Sequence, residues 1–372
     1  MKLLINISNL VQGGAVQVAN SFINEINHLD NNNQYLVCYT KLSLPILDKT
    51  LFSNQFKFVL FESSPARLSS RFKTIKKLNE TEKYFNPDLV FTLFGPSYWQ
   101  PKTKNITGFA DGWVYNPNSI AFSKLNFVSK IKRQVLSKIK IYFLKKKITH
   151  FILETSDAKE KFSKYLKIEL SKISVVSNTY NGVYNNVVRE KNIIMKNSSF
   201  KLLTLSAFYP NKNLEIINDV IQFIPKELDV KFYLTLPHDI FKAKFIKSDK
   251  IINLGVQHIK DCPQLLYSCD VMFLPTLLET FSASYPEAMV MNKPILTSNC
   301  SFARSICGDA AEYFNPLNAE DIAKKIINLV GNSKRLNELA DLGRKKVIDF
   351  PSSKERAVKY LSIFHQNKYL HA

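Results

Sequence analysis

The sequence predicts an α/β protein with parallel sheets, organised in about two domains. Three observations carry this. Short buried apolar runs alternate with helical patterns along the whole chain, which calls for parallel strands covered by helices on both faces. The 372 residues exceed what one core usually serves. Composition is that of a globular chain, 45% hydrophobic, with ten glycines and fifteen prolines, too few for a fibrous or low-complexity class.

In the N-terminal half the apolar runs place strands at 2–8, 34–40, 56–61, 88–94, 105–110, 150–155 and 172–178, with helices between. After the first strand, Gly13 and Gly14 precede a helix marked by Val16, Ala19, Phe22, Ile23 and Ile26. A pair of glycines there admits close backbone approach to a ligand. The strand at 105–110 runs into GFADGW, which puts Asp111 at the sheet edge beside Trp113 and Tyr115. Asp111 either faces a ligand there or caps the turn.

The second half opens with an apolar strand at 202–206. AFYPNKNLEII follows, with Lys212 and Asn213 just before a helix. Further on, a buried strand at 271–275 leads into a polar loop holding Glu279, a short helix holding Glu287, and a buried strand at 294–298. Ligands of open α/β sheets bind at the carboxyl ends of the strands. Two carboxylates there can grip a polyhydroxylated ligand, and the helix start between them offers N–H groups to an anion. Each residue also has a plainer reading. Ser284 and Glu287 fit a capping box, Glu279 fits a solvated loop, and Lys212 fits an ordinary surface lysine.

The stretch from Pro275 to Ile295 resembles the E-x7-E signature of retaining, nucleotide-sugar-dependent glycosyltransferases of the GT-B fold, family four of that class. The matching residues are Pro275-Thr276, Glu279-Thr280-Phe281-Ser282-Ala283, Glu287-Ala288-Met289 and Asn292-Lys293-Pro294-Ile295. Asp270 upstream also fits. Lys212-Asn213 is similar to the family's turn that opens the donor-binding domain, with Ala207 where the family has arginine. Thr280 and Ser282 replace two family glycines. Gly13-Gly14 stand where the family's N-terminal domain faces the donor phosphates, and VSNTYNGVY at 176–184 resembles the interdomain hinge, with Asn178 and Asn181 as its polar residues.

The resemblance implies two Rossmann-like domains facing across a cleft. They would be an acceptor-binding domain at 1–184, a linker at 185–199, a donor-binding domain at 200–350, and a helix at 351–372 crossing back onto the first domain. It implies catalytic parts for Glu279 and Lys212, with Asp111 in place of a family histidine. Glu287, Gly13, Gly14, Thr280, Phe281, Ser282, Ala283 and Asn213 would contact a UDP- or GDP-linked sugar. No cofactor and no metal is implied, the nucleotide sugar being a co-substrate.

Charge adds a partner. The net charge is +20, and residues 112–153 contain no acid. Lys124, Lys130, Lys132, Arg133, Lys138, Lys140, Lys145, Lys146 and Lys147 are interleaved there with apolar residues. This reads as one or two basic amphipathic helices. Such a helix either binds anionic lipid headgroups or packs on the core with a solvated basic face. With the resemblance, it leads to an expected lipid-linked glycan acceptor, surface polysaccharide synthesis, and a place on the inner face of the cytoplasmic membrane. Nucleic acid is not expected, because no RNP, zinc-finger or helix-turn-helix pattern accompanies the charge.

Other classes are disfavoured. The five scattered cysteines form no C-x-x-C and imply no disulfide framework. No G-x-G-x-x-G follows the first strand, which disfavours NAD and FAD. Asn6, Ser8 and Asn9 interrupt the apolar start too early for a signal peptide. Competing readings are a non-catalytic or epimerase-type sugar-nucleotide-binding protein and, third, a basic nucleic-acid-binding protein.

Overall fold

The computed structural model describes residues 1–11, 13–29, 32–44, 48–146, 148–185, 195 and 198–369. Lys147 and most of the linker expected at 185–199 lie outside these residues. The chain divides into two units. One comprises Met1–Pro117, Ile131–Asn178 and Pro351–Ala372, the other Asn118–Lys130 and Thr179–Phe350. This differs from a single boundary at 184. Residues 118–130 group with the second unit, where the 3-10 turn Ile120–Lys124 packs against the turn Pro210–Lys212. Tyr184 also belongs there, buried in that unit's core.

The first unit is built on seven parallel strands, β1 (Lys2–Asn6), β2 (Gln34–Thr40), β3 (Phe56–Phe61), β4 (Leu89–Thr92), β5 (Asn105–Gly108), β6 (His150–Leu153) and β7 (Ile173–Val175). Their spatial order is β3-β2-β1-β4-β5-β6-β7. Strands β1, β4 and β6 are buried nearly end to end, as expected of a sheet covered on both faces. The helix Gly14–Asn27 buries Val18, Ala19, Phe22, Ile23 and Ile26, an i, i+4, i+8 stripe with its i+1 and i+5 neighbours. Against it lies the C-terminal helix Ser353–Tyr369. Phe22 meets Tyr360 edge-on at 5.2 Å, and Phe91 of β4 meets Phe364 at 4.6 Å. Each such aromatic withdraws apolar surface worth about 1.5–3 kcal/mol, so the chain's last helix is part of the first unit's core.

The second unit has six parallel strands, β8 (Phe200–Thr204), β9 (Val230–Leu234), β10 (Ile251–Asn253), β11 (Val271–Leu274), β12 (Ile295–Ser298) and β13 (Glu312–Phe314), in the order β10-β9-β8-β11-β12-β13. In each sheet the order reverses beside its first strand, between β1 and β4 and between β8 and β11. A reversal sends the two following connections to opposite faces and opens a crevice at the carboxyl ends.

Candidate functional site

In the second unit the reversal point is where Lys212 and Glu279 meet. β8 ends at Thr204, whose hydroxyl donates to the Phe273 carbonyl of β11 at 2.6 Å. The chain then leaves the sheet and makes the 3-10 turn Pro210–Lys212. Proline opens that turn, where no N–H is needed. Asn213 closes it in the left-handed region, with φ 54°. Two hydrogen bonds join this loop to the one after β11. The Leu277 N–H donates to the Asn211 carbonyl at 2.7 Å, and the Asn211 side-chain amide donates to the Leu278 carbonyl at 2.9 Å. Knitted this way, the loops bring the Lys212 ammonium onto Oε1 of Glu279. Both side chains are 18% exposed. An ion pair so far from water depends on both partners, since losing one strands the other's charge.

Glu287 is held differently. The helix Ser284–Val290 buries Tyr285, Pro286, Glu287, Ala288 and Met289. Tyr285 reaches Thr297 Oγ1 on β12 at 2.9 Å, and Thr297 in turn donates to the Leu274 carbonyl of β11. On the helix's outer side, Gly343 faces Met289, and a Cβ at 343 would come within 3.3 Å of its Cγ. Packed this way, the helix delivers Glu287 to the Tyr184 hydroxyl, which hydrogen-bonds to the carboxylate. Burial pushes the Glu287 carboxyl up to about 7, against a smaller downward pull from Tyr184. Burial and the Glu287 charge together push the nearby Cys262 thiol up to about 11.

The capping-box reading of Ser284 and Glu287 is corrected by this geometry. The N-cap position is Ala283, already helical at φ −61° and ψ −24°, and no side chain caps the helix. The Glu287 carboxylate is committed to Tyr184 instead. Thr280, Phe281 and Ser282 have buried side chains, and Phe281 packs edge-on against Phe350 at 6.0 Å. What this stretch offers a ligand is thus backbone. The helix turn uses the amides of Tyr285 and Glu287, bonded to Ser282 and Ala283. Asn213 is half engaged in the fold: its side-chain amide donates to the Pro316 carbonyl at 2.8 Å from a buried position, while its Oδ1 is buried without a partner. Ala207 is exposed on the loop after β8.

In the first unit, Gly13 is the N-cap of its helix at φ 76°, a conformation that favours glycine. A Cβ on Gly13 or Gly14 would meet nothing within 4 Å, so this loop is open beside the reversal point. Asp111 takes the second of its two readings. Its Oδ1 accepts from the Trp113 N–H at 3.2 Å, capping the short helix Gly112–Tyr115, and its Oδ2 accepts from Lys140 at 2.5 Å.

The basic segment forms one helix, Phe127–Leu144, in which only Ser137 and Leu144 are buried. Val128, Ile131, Val135, Ile139 and Tyr142, spaced three and four apart, are exposed along one stripe. The core-facing alternative is thereby overturned. Lys132, Lys138 and Lys145 are exposed, while Lys130 and Lys146 are half-buried. Two of the expected surface cations turn back onto the protein. Lys140 pairs with Asp111, and the Arg133 guanidinium lies 4.8 Å from the centre of the Trp113 ring. Among the described residues no helix is long and apolar enough to cross a membrane.

Sequence reasoning missed Tyr184 and Asn211. Tyr184 lay inside the hinge motif but carried no local mark of its partner. It also missed Asn6 and Thr92, register partners at the ends of β1 and β4, whose Nδ2 and Oγ1 are buried without partners.

Comparison with known proteins locates these features. Residues 199–332 match the family described as glycosyl transferases group 1. A curated relative, the MMP α-(1→4)-mannosyltransferase of Mycolicibacterium hassiacum, is 25% identical over 170 residues, covering 43% of this chain and 41% of its own length. The match thus spans about two fifths of that relative. Over the whole chain, a glycosyltransferase from Rickettsia africae superposes with a TM-score of 0.70 at 16% identity, covering 100% of this chain and 99% of the other. Anabaena HepE in complex with UDP-glucose gives 0.69 at 14%, covering 98% and 100%. WaaG, a glycosyltransferase involved in lipopolysaccharide biosynthesis, gives 0.70 at 13%, covering 98% and 99%. Residues 199–332, which hold Lys212, Glu279 and Glu287, match the glycosyl transferases group 1 family, in a chain whose two parallel-sheet α/β domains have the GT-B fold.

Proposed function

We propose that the protein is a retaining, metal-independent glycosyltransferase. It moves a sugar from a UDP- or GDP-linked donor to a lipid-linked glycan acceptor in bacterial surface polysaccharide synthesis, on the inner face of the cytoplasmic membrane. One observation carries the reading: the buried Lys212–Glu279 pair at the reversal point of the second sheet, with Glu287 on the next helix, inside the segment that matches group 1. HepE, crystallised with UDP-glucose, supports the donor class, and WaaG supports a surface-glycan role. The exposed stripe of the helix Phe127–Leu144, flanked by lysines, supports the membrane surface.

In this reading the Lys212 ammonium faces the donor diphosphate and stabilises the charge that grows as it leaves. A preorganised donor of that kind contributes about 3–4 kcal/mol. Glu279 keeps Lys212 in place through Oε1 and accepts from a sugar hydroxyl with its other oxygen. Glu287 accepts from the ribose hydroxyls, exchanging the Tyr184 hydroxyl for them. Amides at 281–284 approach the phosphates. The bond from the anomeric carbon to the bridging phosphate oxygen breaks, the nucleoside diphosphate leaves with that oxygen, and the acceptor oxygen bonds to the carbon on the vacated face. The acceptor's proton passes to the departing phosphate. Asp111 serves as a positioning residue, tying Lys140 to the loop after β5.

A thermal-shift panel of UDP- and GDP-sugars on wild type and Glu287→Ala tests this. A donor that raises the melting temperature of wild type and not of the variant supports the site. Silence from every donor removes the proposal. Product anomeric configuration, read by NMR with and without EDTA, tests retention and metal independence.

A further inference from the structure

The first unit holds a cavity of about 810 Å³ that the donor chemistry does not use. It opens over the carboxyl ends of β1, β2 and β3, lined by Asn9 and Val11, by Thr40, Lys41 and Leu42, and by the run from Leu60 to Ser64 with Ala66 and Arg67. That is the ligand-binding edge of a parallel sheet. Its size is within the range of about 300–1,000 Å³ that small-molecule sites occupy.

The lining has two characters. Val11, Leu42 and Leu60 present apolar walls and are exposed. Apolar exposure continues past Arg67 to Leu68, 76% exposed, and Phe72, 87% exposed. Interleaved with these are Lys41 and Arg67, both exposed, and among the described residues neither enters an ion pair. The one acid in the lining, Glu62, is bonded by Lys73 at 2.8 Å. Its charge is met without drawing on Lys41 or Arg67. Most hydroxyls are already committed: Ser63 to Ser70 and Thr74, and Thr40 and Ser43 to each other. A neutral sugar would find few free hydrogen-bonding groups here. A ligand that suits the site has an apolar chain and a compact anion.

We propose that this cavity binds a long-chain alkyl or isoprenyl phosphate, the lipid-phosphate end of the acceptor. Lys41 and Arg67 engage the phosphate, Val11, Leu42 and Leu60 take the first carbons of the chain, and Leu68 and Phe72 carry the chain outward. This deepens the proposed function, and it rests on that reading for the description of the ligand as an acceptor.

Calorimetric titration of the full chain with decyl phosphate below its micelle concentration tests it, with decanol and inorganic phosphate as separate probes. Decyl phosphate is expected to bind at least tenfold tighter than decanol, and inorganic phosphate not measurably. Lys41→Ala with Arg67→Ala should weaken decyl phosphate about tenfold and leave decanol unchanged. Leu42→Asp should weaken both. All these side chains are exposed, so the variants should melt as wild type does, and Arg67→Lys should restore part of the affinity. Replacing Lys132, Lys138 and Lys145 by alanine should change nothing at this probe. Absence of decyl phosphate binding overturns the inference. So does binding lost in the helix variant and kept in the cavity variants, or equal binding of inorganic phosphate. A donor shift without decyl phosphate binding leaves the glycosyltransferase reading standing and removes the cavity's role. The converse keeps the cavity as a lipid-phosphate site and removes its description as an acceptor site.

Discussion

The Tyr184 hydroxyl bonds to the carboxylate of Glu287, in a place where burial has raised that acid to about 7. Its ordinary value is 4.5. Between these values the folded protein keeps a proton that the unfolded chain has lost. Stability from this group is therefore greatest below about pH 4.5, falls as pH rises toward 7, and is level above that. The displacement corresponds to about 3 kcal/mol. Glu287→Gln should flatten the decline and leave the variant more stable than wild type at pH 8. Urea unfolding at pH 5 and pH 8 reads this directly, and an unchanged slope in the variant would count against the burial argument. Ribose hydroxyls favour the ionised carboxylate, so donor affinity should rise from pH 6 to pH 8 in wild type only.

Lys212 and Glu279 should behave as a unit. Alanine at either position leaves the other charge in a site that is 18% exposed. Each single variant is expected to lose about 1–3 kcal/mol, and the double variant clearly less than their sum. Additive losses in a double-mutant cycle would show that the pair is not coupled. Donor binding separates function from stability: Lys212→Ala should lose it even under conditions where the fold remains intact.

Arg356 should be a stability residue of the first unit. It is 3% exposed and donates to Asn178 Oδ1 and, at 2.9 Å, to Ser21 Oγ. Asn178 is the last residue before the chain passes into the second unit, and Arg356 follows closely after its return. Arg356→Ala removes both bonds and leaves an emptied space, at an expected cost of about 2–4 kcal/mol. Calorimetry should show a lowered transition. A variant that melts as wild type does would mean water replaces the guanidinium without loss.

The helix Phe127–Leu144 should bind anionic vesicles through both its stripe and its cations. Alanine at Lys130, Lys132, Lys138 and Lys145 is expected to weaken partitioning by roughly 1 kcal/mol per cation. Val135→Asp, on the stripe, should weaken it on neutral and anionic vesicles alike. Co-sedimentation reads both. Lys140→Ala, whose partner is Asp111, should instead lower stability slightly and leave vesicle binding in place.

The strand–helix alternation, both parallel sheets, the loop positions of Lys212 and Glu279 and the helix position of Glu287 were legible in the sequence. Each leaves a local mark, as a buried apolar run, a proline or glycine at a turn, or a carboxylate just past a strand end. Which groups those side chains meet was not legible. Asn178 finds Arg356 across 178 positions, and Lys140 finds Asp111 across 29. Nothing in the local pattern around Tyr184 announces Glu287, and Ser284 and Glu287 carry a capping pattern that the helix does not use. The basic segment shows the same division. Its period and charge announced an amphipathic helix, but the tertiary structure decided that the apolar stripe stays exposed and that Arg133 and Lys140 turn inward. Local periodicity is set by backbone geometry and is written in neighbouring residues. Long-range pairing is set by how the elements pack, and no window of the sequence contains it.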